Sequence, residues 1–389
     1  MSAALLKLVR SWQRSIDSVW SNPAKELSDS SSDQRIHRLI LTIVWIVLCE
    51  QRQIPVKLSL RDLQQGDRTY QRLLELTEAF KSCLGISNHV LLAGDDRVHG
   101  SPEFDRLLQS LIGSLYDLDC VRISTLSCET LGQLYEQLLG DQDSKSSSAD
   151  RFNSISSLAA KFKKNNGVYY TPAAIVHSII QQTVSVVLPQ TPTIRILDPA
   201  CGSGAFLLAA YQTVLDWQLQ QAIESHSLTV STPETLQQGQ DGQWKLTQTA
   251  RAKILIDHIY GVDLDPIAVQ VTQLSLGLKC LEDLPIWEGR SLPDLNHTIR
   301  CGNALIDIKN AAEPNAAEPN AAEPNAARFP ISDSDSFNWQ QAFPAVFHAG
   351  GFDVVIGNPP YIDSETMMQH LPTWRHYCNQ HYRTAKGNW

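Results

Sequence analysis

Paired cysteine motifs and His/Cys clusters are missing from this sequence, and their absence argues against several common kinds of site. The eight cysteines are scattered along the chain and form no CxxC motif. A structural zinc site needs closely spaced Cys and His ligands, and a disulfide framework needs an oxidising compartment. The pattern therefore favours reduced thiols in the cytoplasm, and we expect no metal site.

A surplus of positive charge is missing as well. The chain has 32 Lys+Arg against 41 Asp+Glu, which gives a net charge of -9. Such a balance produces no general electrostatic attraction to nucleic acid. Any contact with nucleic acid must therefore use a local patch.

Long hydrophobic runs are also missing. The longest uncharged apolar run, Leu39–Cys49, lies between Arg38 and Glu50 and is about half as long as a membrane-spanning helix. It is typical of a buried helix. The N-terminus has no long apolar stretch with a small-residue cleavage site, so we expect no signal peptide and no membrane contact.

The 389 residues divide into three parts by pattern. Residues 1–140 place apolar side chains at spacings of three and four, which predicts an α-helical N-terminal region. Residues 141–166 are rich first in Ser and Asp and then in Lys, which predicts a linker and a basic segment. Residues 167–389 alternate between short apolar strands and helices. That alternation predicts an α/β domain, Rossmann-like, with a mostly parallel, doubly wound sheet.

Two segments of the α/β part are predicted to be surface loops. Residues 229–244 are rich in Gln, Gly and Thr, and residues 311–325 repeat AAEPN three times. A proline every five residues, with small and acidic residues between, cannot bury a core. We therefore predict a low-complexity loop over 311–327.

The motif DPACGSGAF follows the apolar stretch Ile194–Leu197 and starts at Asp198. A glycine-rich turn between a strand and a helix lets a ligand approach the backbone closely. Neither GxGxxG nor the Gly-Lys-Ser/Thr of a phosphate loop is present. An acid at the strand end would repel phosphate, but it would suit the cationic amino-acid part of S-adenosylmethionine.

Two further motifs supply polar groups, and the first of them lies at the end of a predicted strand. In GVDLDP, Asp263 is placed to accept hydrogen bonds from two ribose hydroxyls, whereas Asp265, directly before Pro266, is predicted to cap a helix. In CGNAL, the Asn303 amide can both donate and accept, which suits the edge of an adenine ring. Alone, Asn303 equally fits an ordinary turn.

The motif NPPY follows a third apolar stretch, Phe352–Ile356. Its two prolines fix φ and donate no hydrogen bond. The Asn358 side-chain oxygen and the Pro359 carbonyl are therefore free to accept from one exocyclic amino group, and Tyr361 can stack on a base. Chemistry on such an amino group requires the base to leave the duplex.

Upstream, GVYYTP precedes a predicted helix. Thr171 as N-cap with Pro172 at the first helical position predicts a helix start, and capping alone would account for this motif.

In this order, GVYYTP, DPACGSGAF, GVDLDP, CGNAL and NPPY resemble the adenine-N6 DNA methyltransferases of the gamma arrangement. The chain is especially similar to the methylase part of type IIG restriction-modification enzymes and related phage-defence methylases. The similarity extends over most of the chain.

This resemblance implies S-adenosylmethionine as cofactor, double-stranded DNA as partner, and direct methyl transfer to adenine N6 without a covalent enzyme–base intermediate. Cys201 is then a small turn residue. The implied target-base residues are Asn358, Pro359 and Tyr361. The implied cofactor-binding residues are Thr171, Asp198, Ala200, Gly202, Gly204, Asp263 and Asn303.

Two departures from the family pattern affect the expected activity. No nuclease pattern precedes the helical region, so we predict no cleavage activity. The chain ends about thirty residues after Asn358, where the family fold continues with further strands and a target-recognition domain. We expect the strand before Asn358 to be an unpaired edge, and the chain to be either truncated or completed by a separate chain.

Two alternatives stay open. Some protein-glutamine and RNA methyltransferases also use Asn-Pro-Pro-Tyr, although the DPACGSG turn and GVYYTP argue against them. An inactive remnant that still binds cofactor or a partner is the second. The DNA downstream of the stop codon, and a comparison of methyl acceptors, would separate these readings.

Overall fold

The fold is given by a computed structural model. It describes residues 3–20, 29–87, 91–92, 101–117, 126–141, 171–228, 235–239, 241–282, 284, 289, 291–307, 337–361, 365, 367–368 and 371–383. The predicted linker beyond Asp141, the basic segment and the AAEPN repeat lie outside these residues.

The N-terminal part is helical where it is described, as its apolar spacing predicts. Gly85, with φ of 67°, ends one of these helices by donating to the Lys81 and Ser82 carbonyls, a conformation that glycine adopts at little cost. A short 3₁₀ turn at Leu60–Gln64 begins with a capping box between Ser59 and Asp62. The helices are α1 (Ala3–Trp20), α2 (Asp29–Gln51), α3 (Thr69–Leu84), α4 (Pro102–Asp117) and α5 (Glu129–Asp141).

Helix α2 is a core helix. Every residue from Leu39 to Cys49 is buried, which confirms the prediction made from this apolar run. Trp45 of this segment packs edge-on against Phe80 of α3. Among the described residues no helix has the length and apolar character needed to cross a membrane.

The second half of the chain alternates strands and helices. Its helices are α6 (Ala173–Gln182), α7 (Val184–Val187), α8 (Ala205–Leu228), α9 (Gln248–His258), α10 (Pro266–Cys280), α11 (Trp339–Ala342), α12 (Pro344–His348) and α13 (Pro372–His381). Its strands are β1 (Ile196–Asp198), β2 (Leu236–Gln238), β3 (Trp244–Leu246), β4 (Ile259–Asp263), β5 (Ile299–Cys301) and β6 (Val354–Val355).

Four of these strands form a parallel sheet in the order β5-β4-β1-β6. The predicted α/β fold with a parallel, doubly wound sheet is confirmed. Along the chain the strands are added outward from β1 to β5 and then on the other side of β1. The order therefore reverses between β1 and β6, and ligands of such sheets bind at the carboxyl ends beside this reversal.

The segment predicted to be a loop over 229–244 contains structure at its end. β2 and β3 form an antiparallel hairpin that pairs Leu236 with Leu246. Both of these leucines are buried, so this pair contributes to the core. The prediction missed this hairpin because the segment contains few apolar residues.

The described fold comprises two compact units that interleave along the chain. The first comprises Met1–Leu138, Val214–Leu255 and Gln270–Asp294, and the second comprises Leu139–Thr213, Ile256–Val269 and Leu295–Trp389. The parallel sheet belongs to the second unit. The consecutive domain boundaries drawn from the sequence remain a prediction.

An aromatic cluster supports the sheet of the second unit. Leu197 of β1 and Val262 of β4 share a core with Phe337, Phe343 and Val346. Aromatic rings bury large apolar areas in fixed edge-to-face geometry. This core therefore fixes the strands whose carboxyl ends carry the predicted site.

An ion pair fixes β6 against β1. The Arg195 Nε atom lies 3.0 Å from Asp353 Oδ2, and the Arg195 amide donates to the same oxygen at 2.7 Å. These contacts join residues just before the two strands and set the register in which Leu197 pairs with Val355. β6 lies at one edge of the described sheet.

Candidate functional site

The glycine-rich turn links β1 to α8 in the way its sequence predicts. Gly202 and Gly204 have φ of 52° and 90°, in the left-handed region that favours glycine. The Cys201 amide donates to the Val262 carbonyl of β4 at 2.9 Å, and the Gly204 amide donates to the Cys201 carbonyl. The turn is thereby closed on itself and fixed to the neighbouring strand.

Asp198 ends β1 with its carboxyl group buried. Its Oδ1 atom accepts a hydrogen bond from the Ala200 amide at 3.0 Å. Burial raises the pKa of Asp198 to about 7, the Ala200 hydrogen bond acts in the opposite direction, and the Asp263 carboxylate raises the pKa further. A cation bound here would favour the ionised carboxylate.

Asp263 connects three loops at the end of β4. Its Oδ2 atom accepts from the Gly202 amide at 2.8 Å, and its Oδ1 atom accepts from the Asp265 amide at 2.9 Å. Its carbonyl accepts from the Gly302 amide. A carboxylate oxygen can accept more than one hydrogen bond, so Asp263 has capacity for hydroxyl donors of a ligand.

Asp265 caps helix α10, as the sequence predicts. Its Oδ1 atom accepts from the Ile267 amide at 2.9 Å and the Ala268 amide at 3.4 Å. These are bonds to the second and third residues of the helix, where a capping oxygen satisfies amides that lack helical partners.

Asn303 follows β5 and is buried. Its Oδ1 atom accepts from the Leu305 amide at 3.1 Å. Its Nδ2 atom has no hydrogen-bond partner among the described residues. A buried donor without a partner is costly, and an acceptor atom of a bound ligand would remove that cost.

The NPPY loop follows β6 and is exposed at Asn358, Pro359 and Tyr361. The Asn358 Nδ2 atom donates to Thr171 Oγ1 at 3.3 Å. The amide nitrogen is thus occupied, while its oxygen remains available to accept. Tyr361 is 75% exposed, which leaves its ring face accessible for stacking.

Thr171 does not cap a helix. Helix α6 begins at Ala173, its N-cap is Pro172, and no side chain bonds to the helix end. The N-cap prediction for Thr171 was therefore wrong by one position. The hydroxyl instead accepts the hydrogen bond from Asn358, 187 residues away in sequence, a partnership that no local pattern reveals.

Gly357 brings the two principal loops together. A Cβ atom on Gly357 would lie 2.5 Å from Asp198 Oδ1, and the residue has φ of 152°. Only a residue without a side chain allows this approach. The glycine-rich turn and the NPPY loop are therefore adjacent.

The predicted polar residues form a row along the carboxyl edge of the sheet. In strand order the row runs from Asn303 after β5, to Asp263 on β4, to Asp198 on β1, to Asn358 after β6. Parallel strands lie ~4.8 Å apart, so the four strand ends extend over roughly 14 Å. An elongated ligand lying across the edge could contact all four.

Two packing residues of this site were not predicted. A Cβ on Gly261 of β4 would lie 2.7 Å from Leu207 Cδ1 and 3.2 Å from Cys201 Sγ. A glycine inside a strand signals such close approach, and that signal was present in GVDLDP. Phe337 lies against Gly302 in the same way, but the long sequence separation hides this contact.

The two thiols beside the site, Cys201 and Cys301, are not activated as nucleophiles. Cys201 is buried in the turn. Burial raises the pKa of Cys301 to about 11, and the nearby Asp263 and Asp265 charges act in the same direction. Within the described residues no group of His, Cys, Asp or Glu is arranged to hold a metal ion.

Two family models match the chain in overlapping ranges. The N-6 DNA Methylase model matches residues 127–283, and the Eco57I restriction-modification methylase model matches residues 257–389. The first range contains the DPACGSGAF and GVDLDP motifs, and the second contains CGNAL and NPPY.

A curated relative matches almost the whole chain. It is the type II restriction enzyme and methyltransferase RM.Eco57I of Escherichia coli, 26% identical over 98% of this chain. The chain spans only 36% of the length of that relative.

Solved structures of restriction-modification enzymes are more distant. The type IIL enzyme MmeI in complex with DNA has 15% identity and a TM-score of 0.37, covering 77% of this chain and 39% of that chain. The type ISP enzyme LlaBIII bound to DNA has 11% identity and a TM-score of 0.35, covering 92% of this chain and 20% of that chain. The chain is therefore similar to N-6 DNA methylases over residues 127–283 and to restriction-modification methylases of the Eco57I type over residues 257–389.

Proposed function

We propose that this chain transfers a methyl group from S-adenosylmethionine to adenine N6 of a base flipped out of double-stranded DNA. The reaction would serve a restriction-modification or phage-defence system in the cytoplasm. The observation that carries the proposal is the row of Asn303, Asp263, Asp198 and Asn358 along one sheet edge, beside the reversal of strand order.

The residues of the row fit an adenosyl cofactor. The unpartnered Asn303 Nδ2 atom would donate to a ring nitrogen of adenine, and Asp263 would accept from the ribose hydroxyls. Asp198, with Ala200, Gly202 and Gly204, would enclose the amino-acid part, whose positive charge compensates the buried carboxylate. The bound cofactor supplies an electrophilic methyl group on a sulfonium.

The exposed loop fits a planar amino group. With Nδ2 held by Thr171 Oγ1, the Asn358 oxygen and the Pro359 carbonyl would accept both hydrogens of the adenine amino group. Those hydrogen bonds reduce conjugation of the nitrogen lone pair with the ring and direct it at the methyl group. Tyr361 would stack on the extruded base, which compensates part of the unstacking cost.

Thr171 is proposed to act at both ends of this arrangement. The resemblance implies a cofactor contact, and the hydrogen bond with Asn358 supports a second role in fixing the orientation of the amide.

The experiment is methyl transfer from labelled S-adenosylmethionine to duplex DNA, RNA and a glutamine-containing release factor, with the product nucleosides separated by mass spectrometry. We expect N6-methyladenine in DNA. Asn358→Ala should lower transfer by at least about a hundredfold while leaving cofactor affinity nearly unchanged. Asn379→Ala, at an exposed position of α13, is the matched control.

Label in RNA or in the release factor would support the alternative substrates. Cofactor binding without transfer to any acceptor would support an inactive chain. Full turnover by Asn358→Ala would refute the role of the NPPY loop.

A further inference from the structure

Helix α13 begins eleven residues after Tyr361. Two tyrosines, one within this helix and one directly after it, bind the loop that carries Asn303. Tyr377 is buried, and its hydroxyl accepts from the Asp307 amide at 3.0 Å and lies 3.4 Å from the Asp307 carbonyl. The Tyr382 hydroxyl donates to the Leu305 carbonyl at 2.8 Å. The sequence motifs gave no indication of either contact.

Hydrogen bonds supplement side-chain burial in holding the loop at 303–307, where Ile306 is buried. The Leu305 side chain is 50% exposed, so burial of this residue contributes little to fixing the loop. Its backbone is tied by the Phe337 amide to the Ile306 carbonyl at 2.7 Å, by Trp339 Nε1 to the Ala304 carbonyl at 3.2 Å, and by the two tyrosines. The two tyrosine hydroxyls therefore supply much of what fixes the C-terminal end of the loop.

The same loop determines where the Asn303 amide lies. The Asn303 Oδ1 atom accepts from the Leu305 amide, and the Asn303 carbonyl accepts from the Ile306 amide. Movement of Leu305 would therefore reorient the Asn303 side chain. The buried and unpartnered Nδ2 atom would move with it.

We propose that Tyr377 and Tyr382 are positioning residues that hold the 303–307 loop ready for the adenine ring of the cofactor. This inference rests on the proposed function, since it uses Asn303 as the adenine contact. A preorganised loop pays less ordering entropy when the ligand binds. The tyrosines should therefore affect cofactor affinity and leave the rate at saturating cofactor almost unchanged.

The test compares Tyr377→Phe and Tyr382→Phe with Tyr260→Phe as matched control. The Tyr260 hydroxyl lies 3.4 Å from the Asp257 carbonyl in the same unit, so its removal leaves the hydrogen bonds of the 303–307 loop intact. Calorimetry would measure the binding of S-adenosylmethionine, S-adenosylhomocysteine and 5′-methylthioadenosine to each full-length variant. These ligands share adenosine and differ in charge and in the amino-acid part.

We expect each loop variant to bind all three ligands about three- to tenfold more weakly, the factor that corresponds to one net hydrogen bond. The control should bind as the unmodified protein does. Asn303→Ala should bind weakly, and adding Tyr382→Phe to it should cause no further loss, because both changes affect one interaction.

Unchanged ligand affinity in both loop variants, even with a lower melting temperature, would overturn the inference and leave the proposed function standing. Full additivity of Tyr382→Phe with Asn303→Ala would also overturn it. An unmodified protein that binds none of the three ligands would overturn the proposed function and this inference together.

Discussion

At the residue scale, the site combines groups that are poorly satisfied by the protein alone. Asp198 is a buried carboxyl with a raised pKa, and Asn303 has a buried amide nitrogen that finds no partner in the part of the chain that the structure describes. Such groups cost stability unless a ligand compensates them. They are therefore better evidence for a binding site than the glycine turn, which could occur in any strand–helix connection.

The pKa of Asp198 predicts that cofactor affinity depends on pH. A cation favours the ionised carboxylate, so below pH 7 binding must displace a proton from a group with a pKa of about 7. Affinity should fall by up to about tenfold per pH unit as pH falls from 7 to 5 and should change little above 8. Calorimetry at pH 6 in buffers of different ionisation enthalpy should detect proton release.

The folding stability of the ligand-free protein depends on pH in the opposite direction from the cofactor affinity. The folded state holds the Asp198 proton more tightly than the unfolded state, so this stabilising contribution is complete at low pH and is lost as pH rises toward 7. In Asp198→Asn the pH dependence of binding should disappear. A flat affinity in the unmodified protein from pH 5 to 8 would contradict the assigned role of Asp198.

The hydrogen bond between Thr171 and Asn358 predicts a second effect at this scale. Thr171→Val keeps the shape of the side chain but removes the acceptor for Asn358 Nδ2. We expect kcat to fall about tenfold, the factor for loss of one good hydrogen bond, because the amide is no longer fixed. Steady-state kinetics would measure this loss, and Thr171→Ser should restore most of the rate. A change confined to cofactor affinity would show that Thr171 serves the cofactor alone.

At the element scale, the function depends on loops held at the ends of short strands. The four strands of the parallel sheet are two to five residues long. The sheet gives the loops an order and a spacing, whereas contacts between loops set their distances. Gly357 is the clearest of these contacts, because its missing side chain lets the Asp198 carboxyl approach the NPPY loop.

Replacement of Gly357 by Ala should therefore do more than strain the backbone. The new Cβ would meet Asp198 Oδ1 at 2.5 Å, and φ is 152°. Gly350→Ala is the matched control, since Gly350 has φ of 103° with no atom within 4 Å of the added Cβ. Backbone strain alone costs on the order of 1 kcal/mol.

We expect both variants to melt at lower temperature, and only Gly357→Ala to lose cofactor affinity and methyl transfer. Thermal melting and calorimetry would measure these effects. If the two variants behave alike, the close contact between the two loops is not needed for cofactor binding or methyl transfer.

Three of the four strand ends in the parallel sheet could be predicted from sequence because each lies at a change from apolar residues to Gly, Asp, Asn or Pro. β5 was missed because Ile299–Cys301 is too short to give a pattern of its own. Helix α13 was missed because its polar, His-rich sequence has no apolar stripe. Its tyrosines became informative only when their partners at 305–307 were known.

At the scale of the whole molecule, each of the two compact units takes its segments from separate parts of the sequence. The first unit takes segments from three parts of the sequence, so apolar patterns along the chain could not reveal it. Contacts of Arg52 show how the segments of the first unit are joined to one another. Its Nε donates to the Leu278 carbonyl at 3.0 Å, and its Nη2 lies 2.9 Å from Cys128 Sγ and 3.9 Å from Glu282 Oε1.

These contacts predict that residues 141–389 do not fold alone. The fragment would lose Arg52 as the partner of Leu278 and Glu282, and the Leu84 carbonyl that accepts from the Leu292 amide at 2.8 Å. We expect no cooperative melting from the fragment by circular dichroism and calorimetry, and recovery on coexpression with residues 1–140.

An arginine pair refines this test in the full-length chain. Arg52→Met removes the hydrogen bonds from a charged donor to the Leu278 and Leu48 carbonyls, while Glu282 keeps Lys279 as its partner. The change should cost roughly 3 kcal/mol. Arg106→Met, which removes an exposed side chain bonded only within its own helix turn, should cost little. A fragment that melts cooperatively at the temperature of the full-length chain would instead support the consecutive domain boundaries.

The most direct test of the central claim is a crystal structure of the full-length protein with S-adenosylhomocysteine. The account predicts adenine hydrogen-bonded to Asn303 Nδ2, ribose hydroxyls on Asp263, and the amino-acid part beside Asp198 with the sulfur facing Asn358. Ligand density elsewhere on the molecule, or density at this edge in the reverse order, would contradict it.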